Sequence, residues 1–155
     1  MKIKVKRTQP KGQMPIVHRK GDWFDLICPE DVELTPGTAK KVDFCLAMQL
    51  PAGFEAHVLE RSSTFKNYGI LQTNALGIID NSYCGDKDSW GGMYYCTRKG
   101  TIPAGSRIAQ FRIVLSQRAT FWQKLKWLFN SKIRFVEVDR LGNKNRGGFG
   151  EGTGR

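Results

Sequence analysis

The feature that most constrains the fold of this chain is the recurrence of short apolar or β-branched runs. These runs return about every eight to twelve residues and are bounded by Gly and Pro. The rhythm predicts many short strands, and therefore an all-β sandwich, jelly roll or barrel. The runs are KIKV at 2–5, DWFDLIC at 22–28, KKVDFCLAMQL at 40–50, FEAHVLE at 54–60, YGILQTN at 68–74, GIID at 77–80, GMYYCTR at 92–98, RIAQFRIVL at 107–115 and IRFVEVDRL at 133–141.

One segment, ATFWQKLKWLFNSK at 119–132, breaks this rhythm with apolar residues at helical spacing. Thr120 is a suitable N-cap for the helix. We predict that its apolar face docks on the barrel, although a basic amphipathic helix is also suited to a membrane, a nucleic acid or a partner protein. The face consists of Phe121, Trp122, Leu125, Leu128 and Phe129.

Length and composition predict a single domain over 1–155, because 155 residues with 40% hydrophobic content can build a sizeable core. Within it we distinguish a helical insert at 119–132 and a flexible, glycine-rich C-terminal arm at 142–155. No apolar run approaches the roughly 18 residues of a membrane span. We therefore expect no membrane partner and a cytoplasmic location. Four cysteines without a C-x-x-C pair are typical of ordinary thiols in a reducing compartment.

The net charge of +11 favours phosphate-bearing ligands. No DNA- or RNA-binding motif accompanies this charge, so nucleic acid is not expected as a partner.

Five separate segments carry the polar and glycine-rich chemistry of the chain. They are FDL at 24–26, ERSS at 60–63, TNALGIIDNSYCGD at 73–86, SRIAQF at 106–111 and NRGGFGEGTGR at 145–155. In this order they resemble the five motifs of the trimeric dUTPase family. The run QTN, the G-D-x-D-x-W segment and the short R-G-G are closest to its Bacillus and phage branch.

The resemblance implies a distorted jelly-roll β-barrel of the dUTPase-like β-clip type. It also implies a homotrimer with shared active sites that hydrolyses dUTP to dUMP and diphosphate with magnesium. Such an activity limits uracil incorporation into DNA and supplies dUMP for thymidylate synthesis. The insert at 119–132 lies outside the minimal family pattern, so any contact it makes is with an unknown partner.

By the same resemblance, Asp80 is the general base that activates water, although by itself it could be a turn aspartate. Tyr83 would pack against the deoxyribose, or else be an ordinary barrel tyrosine. Asn74 would read the base through its amide, which both donates and accepts. Backbone groups of Gly77, Ile78 and Ile79 would complete the base site.

Phosphate contacts are implied for Arg61, Ser62, Ser63 and Gln110, where an arginine fork and hydroxyls match phosphate oxygens. The alternatives are a polar strand end and an outward-facing strand residue. Asp25 would meet the metal through water, or be a turn aspartate. Magnesium would be held mainly by the phosphates, because it keeps its waters and seldom needs a protein cage.

The glycine-rich arm would close over the triphosphate of a neighbouring subunit. Arg146 would contact the terminal phosphate, Phe149 would stack on the uracil as a lid, and glycines such as Gly150 would let backbone amides approach phosphate oxygens. Trp90 is a second candidate for the lid, with packing as its alternative role.

The chain departs from the family pattern at several points. Glu60 stands for the proline before Arg61, Ser106 replaces an acidic residue, and Glu151 brings a negative charge into the fifth motif. Two alternatives therefore stay open: a dCTP deaminase of the same fold, and a non-catalytic, basic regulatory or nucleic-acid-binding protein. Asn74, Tyr83 and an aromatic-bearing arm favour the dUTPase over the deaminase.

Overall fold

Strands dominate the computed structural model, which describes residues 1–129 and 132–148. The strands are β1 (Lys2–Arg7), β2 (Ile16–Val17), β3 (Phe24–Ile27), β4 (Val32–Leu34), β5 (Ala39–Asp43), β6 (Leu46–Gln49), β7 (Phe54–Glu60), β8 (Ile70–Gln72), β9 (Gly77–Asp80), β10 (Gly91–Cys96), β11 (Gly100–Ile102), β12 (Arg107–Leu115) and β13 (Arg134–Glu137). The two helices in the described part of the chain are α1 (Thr64–Tyr68) and α2 (Phe121–Phe129).

The strands form four small sheets, an arrangement that gives the jelly-roll-like fold predicted from the sequence. The five-stranded sheet has the order β2-β3-β12-β7-β9, and the two three-stranded sheets have the orders β13-β1-β6 and β5-β10-β8. β11 pairs with β4 alone. β1 and β13 pair in parallel, whereas the pairs within the five-stranded sheet are antiparallel.

The core lies between these sheets and is filled by large side chains that alternate along the strands. Trp90 and Tyr94 of the β10 region are fully buried, and Phe111 of β12 packs edge-on against Trp90 with ring centroids 5.1 Å apart. Phe24 and Phe135 extend the aromatic cluster to β3 and β13. This packing holds the five-stranded sheet against its neighbours and so fixes the strand ends that carry the polar motifs.

Most strand predictions agree with the structure, and β7 and β12 match their predicted runs to the residue. The predicted run at 40–50 divides into β5 and β6, because Cys45 adopts a left-handed φ of 57°. Desolvation by burial raises the pKa of the Cys45 thiol to about 11, so the group stays protonated at neutral pH. All four cysteines are free, as predicted.

Helix α2 lies inside the predicted insert and begins with the predicted cap. Thr120 Oγ1 accepts a hydrogen bond from the Gln123 N–H at 3.3 Å, and Gln123 Oε1 accepts one from the Thr120 N–H at 2.8 Å. This reciprocal pair is a capping box. In the described part of the chain, no helix is long and apolar enough to cross a membrane.

The prediction that the apolar face of α2 docks on the barrel is wrong. Phe121 and Trp122 are 69% and 74% exposed, and Leu128 and Phe129 are 75% and 80% exposed. Trp127, on the other side of the helix, packs on Phe54 with ring centroids 5.3 Å apart. The sequence pattern located the apolar face correctly. The helix nevertheless packs on the barrel through Trp127, on the opposite side.

Candidate active site

The turn between β8 and β9 lines a cavity of about 320 Å³. Asn74, Gly77, Ile78 and Ile79 all line it, so the structure brings the predicted base-reading residues together. Ala75 turns the chain with a φ of 51° between them. The cavity combines backbone groups with two side-chain amides, those of Gln72 and Asn74, which suits a small planar polar ligand.

Gln72 orients the side-chain amide of Asn74, a role that no signal in the sequence indicated. Its Nε2 donates to the Val58 carbonyl at 3.1 Å and to Asn74 Oδ1 at 3.0 Å. Because Asn74 Oδ1 accepts this bond, the NH₂ group is left as the donor of the Asn74 side chain. The run QTN was noticed in the sequence, but nothing there indicated that the glutamine holds the asparagine.

Asp80 ends strand β9 with its carboxylate partly exposed. Oδ1 accepts hydrogen bonds from the Ser82 N–H at 2.8 Å and the Ser82 hydroxyl at 2.6 Å, while Oδ2 pairs with Arg146 at 2.6 Å. Burial raises the pKa of Asp80, but the Ser82 hydrogen bonds and the Arg146 guanidinium outweigh this and leave the pKa below its usual value. Asp80 is therefore ionised at neutral pH and able to accept a proton.

Tyr83 lies beside Asp80 and is held in place at both ends. Its N–H donates to the Asp80 carbonyl at 3.2 Å, and its hydroxyl donates to the Ser89 carbonyl at 2.9 Å. The ring faces Gly148, where a Cβ atom would lie 3.0 Å from Cε2. A glycine at position 148 thus lets the arm lie against the ring.

A second polar cluster lies at the other end of β7, around Arg61. Arg61 Nε pairs with Asp25 Oδ1 at 3.0 Å, and Gln110 Nε2 donates to the Glu60 carbonyl at 3.3 Å. Ser62 and Ser63 form the turn before α1, and Ser63 makes no side-chain capping bond. The structure therefore brings Arg61, Ser62, Ser63 and Gln110 together, whereas Arg146, predicted to contact the terminal phosphate, lies on Asp80.

Asp25 is not arranged as the predicted metal contact. It is 2% exposed and is engaged by Arg61, by His18 Nε2 at 2.8 Å and by Arg107 at 3.3 Å. Two guanidiniums and an imidazole surround this carboxylate and engage both of its oxygens. It is therefore poorly placed to accept a hydrogen bond from a metal-bound water. Its evident role is to orient Arg61, whereas His18 and Arg107 were not recognised from the sequence.

The described residues contain no group of three or more His, Cys, Asp or Glu that could hold a metal. The chain therefore supplies no dedicated magnesium cage in the part that the structure describes.

The start of the C-terminal arm lies on the same chain's Asp80 and is held by Asp88. Asp88 is 1% exposed, and its carboxylate accepts hydrogen bonds from the N–H groups of Gly85, Arg146 and Gly147 at 2.8–3.1 Å. Nearby, Asp86 accepts from the Leu141 N–H at 2.8 Å. Both aspartates belong to the GDKDSW segment seen in the sequence, but their function as anchors of the arm was missed.

The two lid candidates have different outcomes. Trp90 is fully buried against Phe111, so it is a packing residue and the suggestion that it acts as a lid is wrong. Phe149 and Gly150 lie outside the described residues, and their predicted roles stay predictions.

The two polar clusters are well separated along β7. Asp80 lies opposite Glu55, whereas Arg61 directly follows Glu60. At a rise of about 3.4 Å per residue, their backbones are about 17–20 Å apart. A single extended triphosphate cannot bring its α-phosphorus to Asp80 and its other phosphates to Arg61 of the same chain.

Together, the fold and the site define a class of protein: a jelly-roll-like barrel with a base-sized cavity at the β8–β9 turn, a strand-end aspartate and a C-terminal arginine arm. The family model for dUTPase matches residues 13–126. This chain belongs to the dUTPase family.

Curated relatives support this assignment. The chain is 43% identical over 150 residues to the SPbeta prophage-derived deoxyuridine 5'-triphosphate nucleotidohydrolase of Bacillus subtilis strain 168, covering 97% of this chain and 96% of that protein. It is 32% identical to the deoxyuridine 5'-triphosphate nucleotidohydrolase of Solibacter usitatus, covering 84% of this chain and 86% of that protein.

Solved structures show the same fold at lower identity. A mutant dUTPase from phage phi11 of S. aureus, reported with a structural Mg(II) ion, has a TM-score of 0.66 and 18% identity over 77% of this chain and 94% of that one. The Staphylococcus bacteriophage 80alpha dUTPase with dUpNHpp has a TM-score of 0.64 and 20% identity over 77% of this chain and 85% of that one.

Proposed function

We propose that this chain hydrolyses dUTP to dUMP and diphosphate, which limits uracil incorporation into DNA and supplies dUMP for thymidylate synthesis. The observation that carries the proposal is the position of Asp80. It is an ionised, partly exposed carboxylate at the end of the strand whose other end lines the cavity at the β8–β9 turn. The names of the curated relatives support the same substrate. No observation favours the deaminase or the non-catalytic alternative.

In this reaction Asp80 accepts a proton from a water molecule. The water oxygen forms a bond to the α-phosphorus, and the bond from this phosphorus to the bridging oxygen breaks. Diphosphate leaves with the electron pair of that bond. General-base assistance of this kind contributes about 10²–10⁴ in rate, and the low pKa of Asp80 keeps it available as a base at neutral pH.

Base and sugar selection would follow from the cavity at the β8–β9 turn and from Tyr83. The Asn74 amide and the backbone of Gly77, Ile78 and Ile79 would pair with the uracil edge, and Gln72 would hold Asn74 in its donating orientation. Tyr83, fixed by its bond to Ser89, would pack against the deoxyribose face and leave no room for a 2′-hydroxyl. A paired polar site of this type discriminates strongly against a mispatterned base.

Arg146 would act in two successive contacts. Without substrate it pairs with Asp80 and keeps the carboxylate anionic. A terminal phosphate carries more negative charge and would draw the guanidinium away, which frees Asp80 for water. The remainder of the arm, with Phe149 and Gly150, would then close over the substrate and exclude bulk water.

The 17–20 Å separation along β7 supports shared active sites in a homotrimer. Arg61, Ser62, Ser63 and Gln110 would bind the phosphates of a nucleotide whose base and α-phosphate lie on a neighbouring subunit. Buried Asp25 would keep Arg61 extended toward that neighbour. Because Arg146 lies on the Asp80 of its own chain, the described start of the arm would act at that site rather than at a neighbour's.

Magnesium would be held by the triphosphate and water, because the described residues offer it no cage. When bound, it neutralises phosphate charge. We assign the protein to the cytoplasm of a bacterium or a phage-infected host, where this substrate arises.

The test is diphosphate release from dUTP by the purified chain and by Asp80→Asn. We expect the variant to lose at least about 10²-fold in kcat, while equilibrium binding of a non-hydrolysable dUTP analogue is retained. Asp139→Asn, at an exposed aspartate, is the matched control and keeps full activity. Ammonia release from dCTP, or no diphosphate from dUTP, would contradict the proposal.

A further inference from the structure

The exposed apolar face of helix α2 has no function in the proposed reaction. We define it as Phe121, Trp122, Leu125, Leu128 and Phe129. Four of these side chains are 69–80% exposed, and only Leu125 is half-buried. Large exposed apolar patches of this kind mark interaction surfaces.

The orientation of α2 is fixed by contacts on its opposite side. Trp127 packs on Phe54, and Gln123 Nε2 donates to the Ala52 carbonyl at 3.0 Å. At about 100° per residue, the apolar face covers an arc of about 120°, and Gln123 and Trp127 lie diametrically opposite its centre. The barrel therefore holds the helix with its apolar face directed outward.

Basic residues border this face on both sides. Lys124 and Lys126 lie about 40° beyond the two edges of the apolar arc at the same helical spacing. Met1, Lys2, Lys132 and Arg134 line a neighbouring surface cavity. None of Lys2, Lys124, Lys126, Lys132 and Arg134 belongs to the ion pairs found among the described residues.

The surrounding sequence reinforces this charge. Residues 116–136, which include α2 and its flanks, contain no Asp or Glu, whereas they contain Arg118, Lys124, Lys126, Lys132 and Arg134. The apolar face is thus set in a basic surface that complements an anionic plane.

We propose that the apolar face of α2 docks on an anionic phospholipid surface. The aromatic and leucine side chains enter the interface, while the flanking lysines contact lipid phosphates, as in helices that lie in the membrane plane. Phe121 and Trp122 already pack edge-on, with ring centroids 5.4 Å apart, so part of the inserted surface is ordered beforehand.

The arrangement of charge favours lipid over nucleic acid. A nucleic-acid surface places its cations against the phosphates at the centre of the contact, whereas here the centre is apolar and the cations are at its rim. The sequence predicted no membrane partner because it lacks a membrane-spanning run. The present proposal concerns a helix that lies in the membrane plane, which that prediction did not consider. It is independent of the proposed hydrolysis of dUTP.

The experiment is flotation of the purified chain with vesicles of phosphatidylethanolamine and phosphatidylglycerol at a 7:3 ratio, compared with pure phosphatidylcholine vesicles. We expect at least about tenfold tighter binding to the anionic vesicles, with a loss in high salt. Brominated lipid should quench part of the tryptophan fluorescence, and Trp122→Phe should remove this part.

Matched variants test the face itself. The double variant Trp122→Ser with Phe129→Ser, and the double variant Lys124→Glu with Lys126→Glu, should each reduce binding to anionic vesicles at least about tenfold. Phe65→Ser, at a half-exposed phenylalanine on α1, should bind as the wild type does. All variants should keep the thermal unfolding temperature, because the substituted side chains are exposed.

The proposal is overturned if the wild type stays out of the vesicle fraction or if the serine variant floats equally well. It is also overturned if the serine variant changes only the oligomeric state, or only the binding of duplex DNA, because the face then serves that other occupant.

Discussion

At the scale of single residues, the protonation of Asp80 is governed by Ser82 and Arg146. The carboxylate gains three donors on folding, and these outweigh the burial that would otherwise raise its pKa. Because the folded-state pKa is lower than that of the unfolded chain, ionised Asp80 stabilises the fold above the unfolded value. This contribution is lost as the pH falls through the folded value.

Ser82→Ala removes the hydroxyl donor but keeps the backbone donor to Asp80. The pKa of Asp80 should therefore rise, and the acidic limb of kcat/KM for dUTP should move to higher pH. Activity at neutral pH should change little. The measurement is a pH profile of kcat/KM, with Ser116→Ala as the control. An acidic limb that does not move would show that Asp80 is not the group that titrates.

Asp88 is the residue on which the start of the arm depends most. Its carboxylate accepts from two consecutive backbone N–H groups, at Arg146 and Gly147. Hydrogen bonds to a charged group contribute about 1.5–3 kcal/mol each. Asp88→Asn keeps one acceptor oxygen and places donors against donors, so it should release the arm.

We expect Asp88→Asn to raise KM for dUTP at least several-fold and to make the chain more sensitive to proteases after position 141. Asp139→Asn, at an exposed aspartate outside these hydrogen bonds, is the matched control. Equal effects of the two substitutions would mean that the arm is not specifically held by Asp88. Limited proteolysis and steady-state kinetics measure the two readouts.

At the scale of secondary-structure elements, α2 shows how one side chain decides the orientation of an amphipathic helix. Trp127 and Trp122 lie in the same helix, but Trp127 is half-buried on Phe54 and Trp122 is 74% exposed. The two tryptophans therefore form a matched pair.

Trp127→Ala should lower the free energy of unfolding by about 1.5–2.5 kcal/mol, roughly half the cost of truncating a fully buried aromatic residue. Trp122→Ala should change it by less than about 0.5 kcal/mol. Urea denaturation followed by circular dichroism measures both values. A larger loss for Trp122 than for Trp127 would mean that the helix docks through the other face.

At the scale of the whole molecule, β7 separates the phosphate cluster from the base and catalytic cluster. If one site takes Asp80 from one subunit and Arg61 from another, two inactive variants can complement each other. Asp80→Asn and Arg61→Ala chains would each fail alone. Randomly mixed oligomers would contain about one quarter of sites with both residues intact.

The measurement is diphosphate release after the two variants are unfolded together and refolded in equal amounts. We expect activity to return toward that fraction of the wild-type value. A mixture of the same variants refolded separately and then combined without exchange is the control. No recovery on joint refolding would place both clusters in the site of a single chain.

The sequence by itself determined the strand pattern, the helical insert and its cap, and the family. These are properties of local spacing: alternation at Phe54–Glu60 and Arg107–Leu115, helical period at 121–129, and a Thr–Gln capping box. The motifs likewise singled out Asp80, Asn74 and Arg61 as candidate site residues, which the structure places at turns and strand ends.

Only the tertiary structure decided which side chains hold the functional ones in place. The bond from Gln72 to Asn74, the burial of Asp25 among Arg61, His18 and Arg107, and the binding of the arm by Asp88 all join residues from different elements. Burial of Trp90 and exposure of the α2 apolar face have the same origin. These contacts depend on how the sheets pack in three dimensions, and periodicity along the chain does not predict them.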